Sequence, residues 1–504
     1  MVKQKNMRTY IFLFLILLLA LFLRGYDLSN NPPELFSDEL INYTSAKSII
    51  ETGKDLHGRL IPYFTDTVEL RPPIFGYFAY ASSIILGENT IAIRAPAVFF
   101  GLITIIAIYL LAFEFFEDKR SALLSAFFLA IIPWHIHYSR VGWEPAAFLP
   151  FLLFSAFFLI HGINKNKKYL VALAFGLFAL TIYTYHTAPL YSFIFLLSLV
   201  VINYQYFLSK KKLLVVSIII SLVLVSPYLW TVDNEYLMYA RGKHISTFKN
   251  GFNAETLTIF AHNYLSHFNP KFLFISGDPF PRHGAGVGNI YWVMLPFILI
   301  GIIQLIRSDM PRRYKIFITI WILIFPLGGS LTNDGVPQAT RTLPGAPVLC
   351  LLSGIGFGFI YKFITLKTRK IIFSNAFTAI TIVLSLLSLG HFARNYYFEY
   401  PKRSYMFWDY GHKGIFSKIK GIQDNYQRAC LQNLNYANEF QIADYYLKNT
   451  HLEIIKDIDD PKCLESGSIV VQWRENKKIS RYLNFIDSVK APDGRTLYYI
   501  YVTK

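Results

Sequence analysis

The chain has 504 residues, of which 54% are apolar, 17% aromatic and 16% charged, against about 25% charged in an ordinary soluble domain. This composition excludes disorder and a soluble enzyme of this size, and the apolar residues fall in blocks long enough to span a bilayer. The net charge of +17 is dispersed in short clusters between those blocks, so it reads as membrane topology, and no nucleic-acid partner is expected.

In chain order, Lys3, Lys5 and Arg8 precede an apolar run from Ile11 to Leu23. Arg24-Gly25-Tyr26-Asp27 follows in place of a small-residue cleavage site, which predicts an uncleaved first span. Residues 74–86, after Pro72-Pro73, form an apolar run too short to cross, predicted to lie at the outer interface. Ten further spans are predicted near 96–114, 121–138, 145–162, 168–185, 188–207, 212–230, 289–306, 314–329, 343–365 and 371–392. One set of connections is basic: Lys119-Arg120; Lys165, Lys167 and Lys168; Lys210 to Lys212; Arg307, Arg312, Arg313 and Lys315; Lys367, Arg369 and Lys370. The alternate set, 139–144, 186–187 and 330–342, is nearly free of Lys and Arg. Basic connections stay in the cytoplasm. The expected architecture is therefore a polytopic α-helical membrane protein of about eleven transmembrane helices, multi-pass in the plasma (inner) membrane. Its N-terminus is cytoplasmic, and two long external loops run from about 25 to 93 and 231 to 288.

Residues 393–504 differ in composition from 1–392. Helical patterns near 413–426 and 437–449 and β-like runs at 429–434, 452–458, 468–473 and 497–502 predict a small C-terminal extracytoplasmic α/β domain. Cys430 and Cys463 lie in this domain and pair if it is outside the cytoplasm; Cys350 lies in an apolar block.

The notable polar residues fall on the external side. Ser37-Asp38-Glu39 reads either as a helix start, with Ser37 as cap and the acids against the dipole, or as a functional acidic pair at the membrane surface. Ser139-Arg140, with Trp143 and Glu144 after it, is a tight polar turn or a fixed guanidinium for a phosphate or carboxylate. Asp278, Arg282, His283 and the Gly-rich run from Gly284 to Gly288 form a turn-rich loop without the context of a nucleotide-binding loop. Arg341 opens a late span, as an interface anchor or a phosphate ligand. His186 ends another span, and Glu69 and Arg71 precede Pro72-Pro73. Asp and Glu are almost absent from the spans, which argues against an ion-coupled transporter.

With these residues in order, the chain resembles the integral-membrane glycosyltransferases of the GT-C superfamily. Within it, the chain is most similar to the branch of glycosyltransferase family 39, the protein O-mannosyltransferases and the aminoarabinose transferases. The resemblance covers about 1–392. It rests on Asp38-Glu39, Pro72-Pro73, Gly87 and Arg94, Ser139-Arg140 with Glu144, Leu273-Phe274 with Gly277-Asp278, and Arg341 with Pro344. It implies a hexosyl- or pentosyltransferase of cell-envelope glycosylation, working in the bilayer at its extracytoplasmic face. The donor would be a polyprenyl-phosphate-linked sugar and the acceptor a protein, lipid or glycan. Carried over by position, the resemblance makes Asp38 the catalytic base of an inverting transfer, with Glu39 orienting it or the acceptor. Arg140 and Arg341 become candidate donor-phosphate ligands, and Glu69, Arg71, Glu144, His186, Asp278 and Arg282 candidate substrate-binding residues. No Asp-x-Asp follows Ser139-Arg140, so no cofactor is assigned; a divalent metal would draw on Glu69 and Glu144. The competing readings are an O-antigen ligase or polymerase, and a flippase of lipid-linked glycans, which needs a polar path that these spans lack.

Overall fold

The computed structural model describes residues 2–56, 58, 64–65, 70–234, 245–431, 439–448, 450–455, 457–473 and 480–503. Every predicted span falls on helix. Helix α1 (Val2–Gly25) covers the first and α4 (Thr90–Phe116) the second. The others fall on Lys119–Ile131 with Pro133–Tyr138, Pro145–Asn164, Lys168–Leu180, Ala188–Ile202, Lys211–Asn234, Leu295–Arg307, Arg312–Ile324, Gly345–Thr368 and Ile371–Arg394. Six of the described helical runs are long and apolar enough to cross a membrane on that ground alone. Others are cut short where the chain bends: the helix from Lys119 stops at Ile131 because Pro133 has no N–H to continue it.

Burial sorts these helices. The apolar stretches of α4, Pro145–Asn164 and Gly345–Thr368 are 67%, 72% and 67% buried, so they form the centre of the bundle. Those of α1 and Lys211–Asn234 are 22% and 6% buried, which leaves large apolar faces for lipid. Small residues set the closest approach. A Cβ at Gly301 would run into the carbonyl of Leu352, and one at Gly356 into that of Phe297.

The ends of the bundle are distinct. At one end Glu114 accepts from His161 at 2.8 Å, Arg313 donates to Asn164 at 2.7 Å, and Arg120 stacks on Tyr361. These residues flank basic connections. At the other end Arg140 reaches the carbonyls that close α1, Tyr191 reaches the carbonyl of Arg341, and Trp134 that of Ala339. Arg94 and Glu114 lie on one helix, twenty residues and so about 30 Å apart. The basic and the basic-poor connections therefore gather at opposite ends.

Helix α2 (Ser37–Thr52) and α3 (Ile74–Leu86) cover the basic-poor end, with the two-residue strands β1 (Phe64–Thr65) and β2 (Leu70–Arg71) between them. At 13 residues α3 is about 20 Å long, well short of the hydrocarbon core. It buries Phe75, Gly76, Ala79 and Ser83 and exposes Phe78, Ile84, Ile85 and Leu86.

The helical run from Ile371 continues through Trp408. Beyond it lie the helix His412–Ile422 and strands β3 (Arg428–Leu431), β4 (Glu453–Ile455), β5 (Ser468–Trp473), β6 (Leu483–Lys490) and β7 (Thr496–Thr503). The sheet order is β4-β3-β5-β7-β6; β3 runs parallel to β4 and β5, and β7 antiparallel to β5 and β6. Helices His412–Ile422 and Glu439–Leu447 cover one face through Ile415, Phe416, Ile419, Ile442 and Ala443. Cys430 and Cys463 form a disulfide that ties β3 to the turn before β5.

Candidate active site

The site is built around the first turn of α2. Its N-cap is Phe36, in extended backbone, so Ser37 is the first helical residue and not the cap its side chain suggested. Phe36 brings no accepting side chain, and its ring and backbone are held instead by neighbours. Glu39 reaches back to the Phe36 N–H at 3.1 Å. The Ser37 N–H donates to Asp409 Oδ2 at 2.8 Å.

The acid pair divides sharply. Glu39 is fully buried, and its carboxylate accepts from Arg94 Nε at 2.9 Å, Arg94 Nη2 at 3.0 Å and the Gly142 N–H at 2.6 Å. Arg94 also holds the carbonyls of Leu28, Pro32 and Glu34. Glu39 is thus the knot joining α2, α4, the first loop and the 139–144 turn. Asp38, one residue earlier, points away and keeps 20% of its side chain exposed. Arg71 Nη2 donates to Asp38 Oδ1 at 2.9 Å, and Arg71 Nη1 to Glu144 Oε1 at 3.3 Å. Arg71 and Glu144 are both buried, so the pair fixes Asp38 from beneath.

Gly142 leaves little room for a side chain in this packing. A Cβ there would sit 3.0 Å from Glu39 Oε1 and 3.1 Å from the carbonyl of Ile93. Gly142→Ala is expected to destabilise the protein by about 1–3 kcal/mol, read as a lower melting temperature in detergent; an unchanged value would contradict the packing described.

The loop around Asp278 supplies the opposite wall. Asp278 is buried and accepts the N–H groups of Phe280 at 2.8 Å and Ala339 at 2.7 Å, so it fastens this loop to the 330–342 connection. The carbonyl of Arg282 bonds His137 Nε2 at 2.7 Å, and that of His283 accepts from Tyr138 at 2.9 Å. These ties carry the Arg282 guanidinium over the face of Phe36, 4.5 Å from the ring centre. Its Nε donates to the carbonyl of Phe407 at 2.7 Å, and among the described residues its two terminal amino groups have no hydrogen-bond partner. His283 stacks on Trp143, which meets Phe36 edge-on, as Trp408 does from the C-terminal segment.

The model of the dolichyl-phosphate-mannose-protein mannosyltransferase family matches residues 70–230. No curated protein matches the chain in sequence. Solved structures match over nearly the whole chain. ArnT from Cupriavidus metallidurans in the apo state superposes with a TM-score of 0.56 at 11% identity, over 99% of this chain and 98% of that one. The same protein bound to undecaprenyl phosphate gives 0.56 at 12%, with the same coverage. The archaeal oligosaccharyltransferase AglB from Archaeoglobus fulgidus, in complex with an inhibitory peptide and a dolichol-phosphate, gives 0.53 at 13%, over 99% of this chain and 74% of that one. The fold is that of the GT-C glycosyltransferases.

Within this GT-C fold, the predicted residues Asp38, Glu39, Arg71 and Glu144 come together, and Arg282 and Asp278 reach the same end. Arg140 sits in a different setting from the open ligand position that the sequence suggested. It is fully buried, and its terminal nitrogens bind the carbonyls of Leu23, Arg24, Tyr26 and Asn31 at 2.6–3.0 Å. The end of α1 leaves carbonyls without helical partners, and Arg140 satisfies them; a phosphate would have to compete with all four. Arg341 sits on the 330–342 connection, with Thr332 Oγ1 at 2.5 Å and Asp334 Oδ2 at 3.2 Å as partners, apart from the Asp38 network. His186 is exposed, edge-on to Tyr185. Glu69 lies outside the described residues.

The described residues do not fit a metal. Glu144 faces the Arg71 guanidinium, and no three His, Cys, Asp or Glu side chains gather among the described residues.

Two acids escaped the sequence reading. Asp409 is buried, and burial pushes its carboxyl up to about 6 against the pull of Arg282. Glu34 is buried and accepts the N–H groups of Gly411, at 2.7 Å, and Lys413; burial pushes its carboxyl up to about 7. Neither sits in a motif, and each is paired with backbone more than 370 residues away.

Proposed function

We propose that this chain is an inverting glycosyltransferase that moves a sugar from a polyprenyl-phosphate-linked donor to an acceptor at the extracytoplasmic face of the membrane. The observation that carries the reading is the division of the acid pair: Glu39 is saturated and sealed, while Asp38 is held by Arg71 and keeps 20% of its side chain exposed. A general base needs that combination of fixed position and access. The lipid phosphates bound by ArnT and AglB support a lipid-phosphate donor.

In this mechanism Asp38 takes the proton from an acceptor hydroxyl or amine as that atom bonds to the sugar C1. The bond from C1 to the phosphate oxygen breaks on the opposite side, which inverts the anomeric centre. Negative charge then grows on the leaving lipid phosphate. Arg282, whose two terminal amino groups have no hydrogen-bond partner among the described residues, is a cation placed beside Phe36 to receive it. Arg71 balances and orients Asp38, Asp278 fixes the loop that carries Arg282, and Glu39 holds the helix start.

Sidedness rests on the charge of the connections, which puts the N-terminus inside and the site outside. The disulfide between Cys430 and Cys463 supports an oxidising location for the C-terminal part. The chain then divides into a transmembrane catalytic domain, 1–392, and an extracytoplasmic domain, 393–504.

Binding of the lipid phosphate tests this directly. Undecaprenyl phosphate should raise the melting temperature of the purified protein in a concentration-dependent way, and undecaprenol should not. Arg282→Ala should weaken that binding about 10- to 100-fold, the loss of charged hydrogen bonds to phosphate. No stabilisation of the wild type would count against the donor class, and wild-type binding by the variant would remove Arg282 from the phosphate site.

A further inference from the structure

The C-terminal segment and the first external loop cap each other's helices. Asp409 lies in left-handed backbone (φ 47°) that turns its side chain back toward the membrane domain, where Oδ2 accepts the Ser37 N–H at 2.8 Å. Ser37 opens α2, and Asp38 is the next residue. The start of a helix carries N–H groups without helical partners, and Phe36 has no side chain to accept them. Asp409 supplies that acceptor from a distance of 372 residues. In return Glu34 of the first loop accepts the N–H groups of Gly411 and Lys413, at the start of the helix His412–Ile422. Trp408 closes edge-on over Phe36 at 5.3 Å, and the carbonyl of Phe407 holds Arg282.

We propose that Asp409 is a positioning residue for Asp38, so that the C-terminal domain completes the catalytic site by fixing the first turn of α2 and placing a second carboxylate beside the base. This rests on the reading of Asp38 as base. The groups facing Asp409 are Asp38 and Glu39 of α2, Arg282 of the second external loop, Glu34 of the first loop and His412 of its own segment. Arg282 favours its charged form, and Oδ1 is buried and without a donor among the described residues. A nearby like charge strengthens the hold of a carboxylate on its proton. Asp409 therefore makes Asp38 a stronger base, and because burial pushes its own carboxyl up to about 6, that assistance fades as pH falls below this value.

The test is the pH profile of kcat/KM for full-length protein in proteoliposomes, with radiolabelled polyprenyl-phosphate sugar as donor and a membrane extract as acceptor. Four proteins are compared: wild type, Asp38→Asn, Asp409→Asn and Asp409→Ala. Asn is a good helix cap, so Asp409→Asn removes charge and keeps the geometry. It should shift the acidic limb down by about one pH unit and lower the plateau about threefold, with the donor KM unchanged. Asp409→Ala, which also loses the cap, should cost about a further tenfold in kcat. An unmoved limb in Asp409→Asn, with or without a uniform fall in rate, would overturn the proposal, provided Asp38→Asn is inactive. Transfer by Asp38→Asn at the wild-type rate would overturn both this proposal and the base assignment. Should Asp409→Ala fail to fold, Asp409→Asn alone decides.

Discussion

Asp38→Asn is expected to lower kcat by about 10²- to 10⁴-fold, the usual contribution of a positioned general base, with the donor KM close to wild type. The amide keeps the size of the carboxylate and its bond from Arg71, so the fold and the donor site persist. What it loses is the ability to accept the acceptor's proton in the transition state. The sugar phosphate is a good leaving group, so a small residual rate is expected. Initial rates over a range of donor concentrations separate the two constants. A fall of less than about tenfold would move the base elsewhere, and a fall confined to KM would make Asp38 a binding residue.

The largest effect on stability is expected at Arg94. This side chain has no exposed surface, lies on α4, and joins Glu39 to three backbone carbonyls of the first loop. Arg94→Ala leaves the Glu39 carboxylate buried without its cation, at a cost of about 3–5 kcal/mol. Glu39 would retain the N–H groups of Phe36 and Gly142, which do not neutralise it. The double variant Arg94→Met with Glu39→Leu should recover only part of the loss, because those two N–H groups are then orphaned. Denaturation in detergent measures both. Wild-type stability of Arg94→Ala would contradict the central role given to this pair.

The membrane architecture was legible because its physics is one-dimensional. A span needs a long apolar run, and Lys119-Arg120 or Arg312-Arg313 mark its end wherever the chain folds. The 13-residue run that became α3 was recognisable by length alone. The site was legible only as a set of positions. Adjacent acids in sequence point about 100° apart on a helix, so Asp38 and Glu39 could not share one environment, but which of them is sealed depends on Arg94 and Gly142. The setting of Arg140 was hidden for a related reason. A positive charge on the basic-poor side suggests a ligand, and nothing local shows that four carbonyls near the end of α1 claim it. Arg282 lay in a loop without periodicity, and its place over Phe36 comes from His137 and Phe407, each more than 120 residues away. Asp409 and Glu34 were invisible because their partners are backbone N–H groups, which carry no residue identity.

The central claim is that lipid-linked sugar is transferred, and the most direct measurement is transfer itself. Wild-type protein is reconstituted in proteoliposomes with a panel of radiolabelled polyprenyl-phosphate hexoses and pentoses, and a membrane extract serves as acceptor. Label is expected to move from one of these donors to an acceptor that no longer partitions with free donor. Donor that crosses to the opposite leaflet with its sugar still attached, and no label on any acceptor, would contradict the claim and identify a flippase instead.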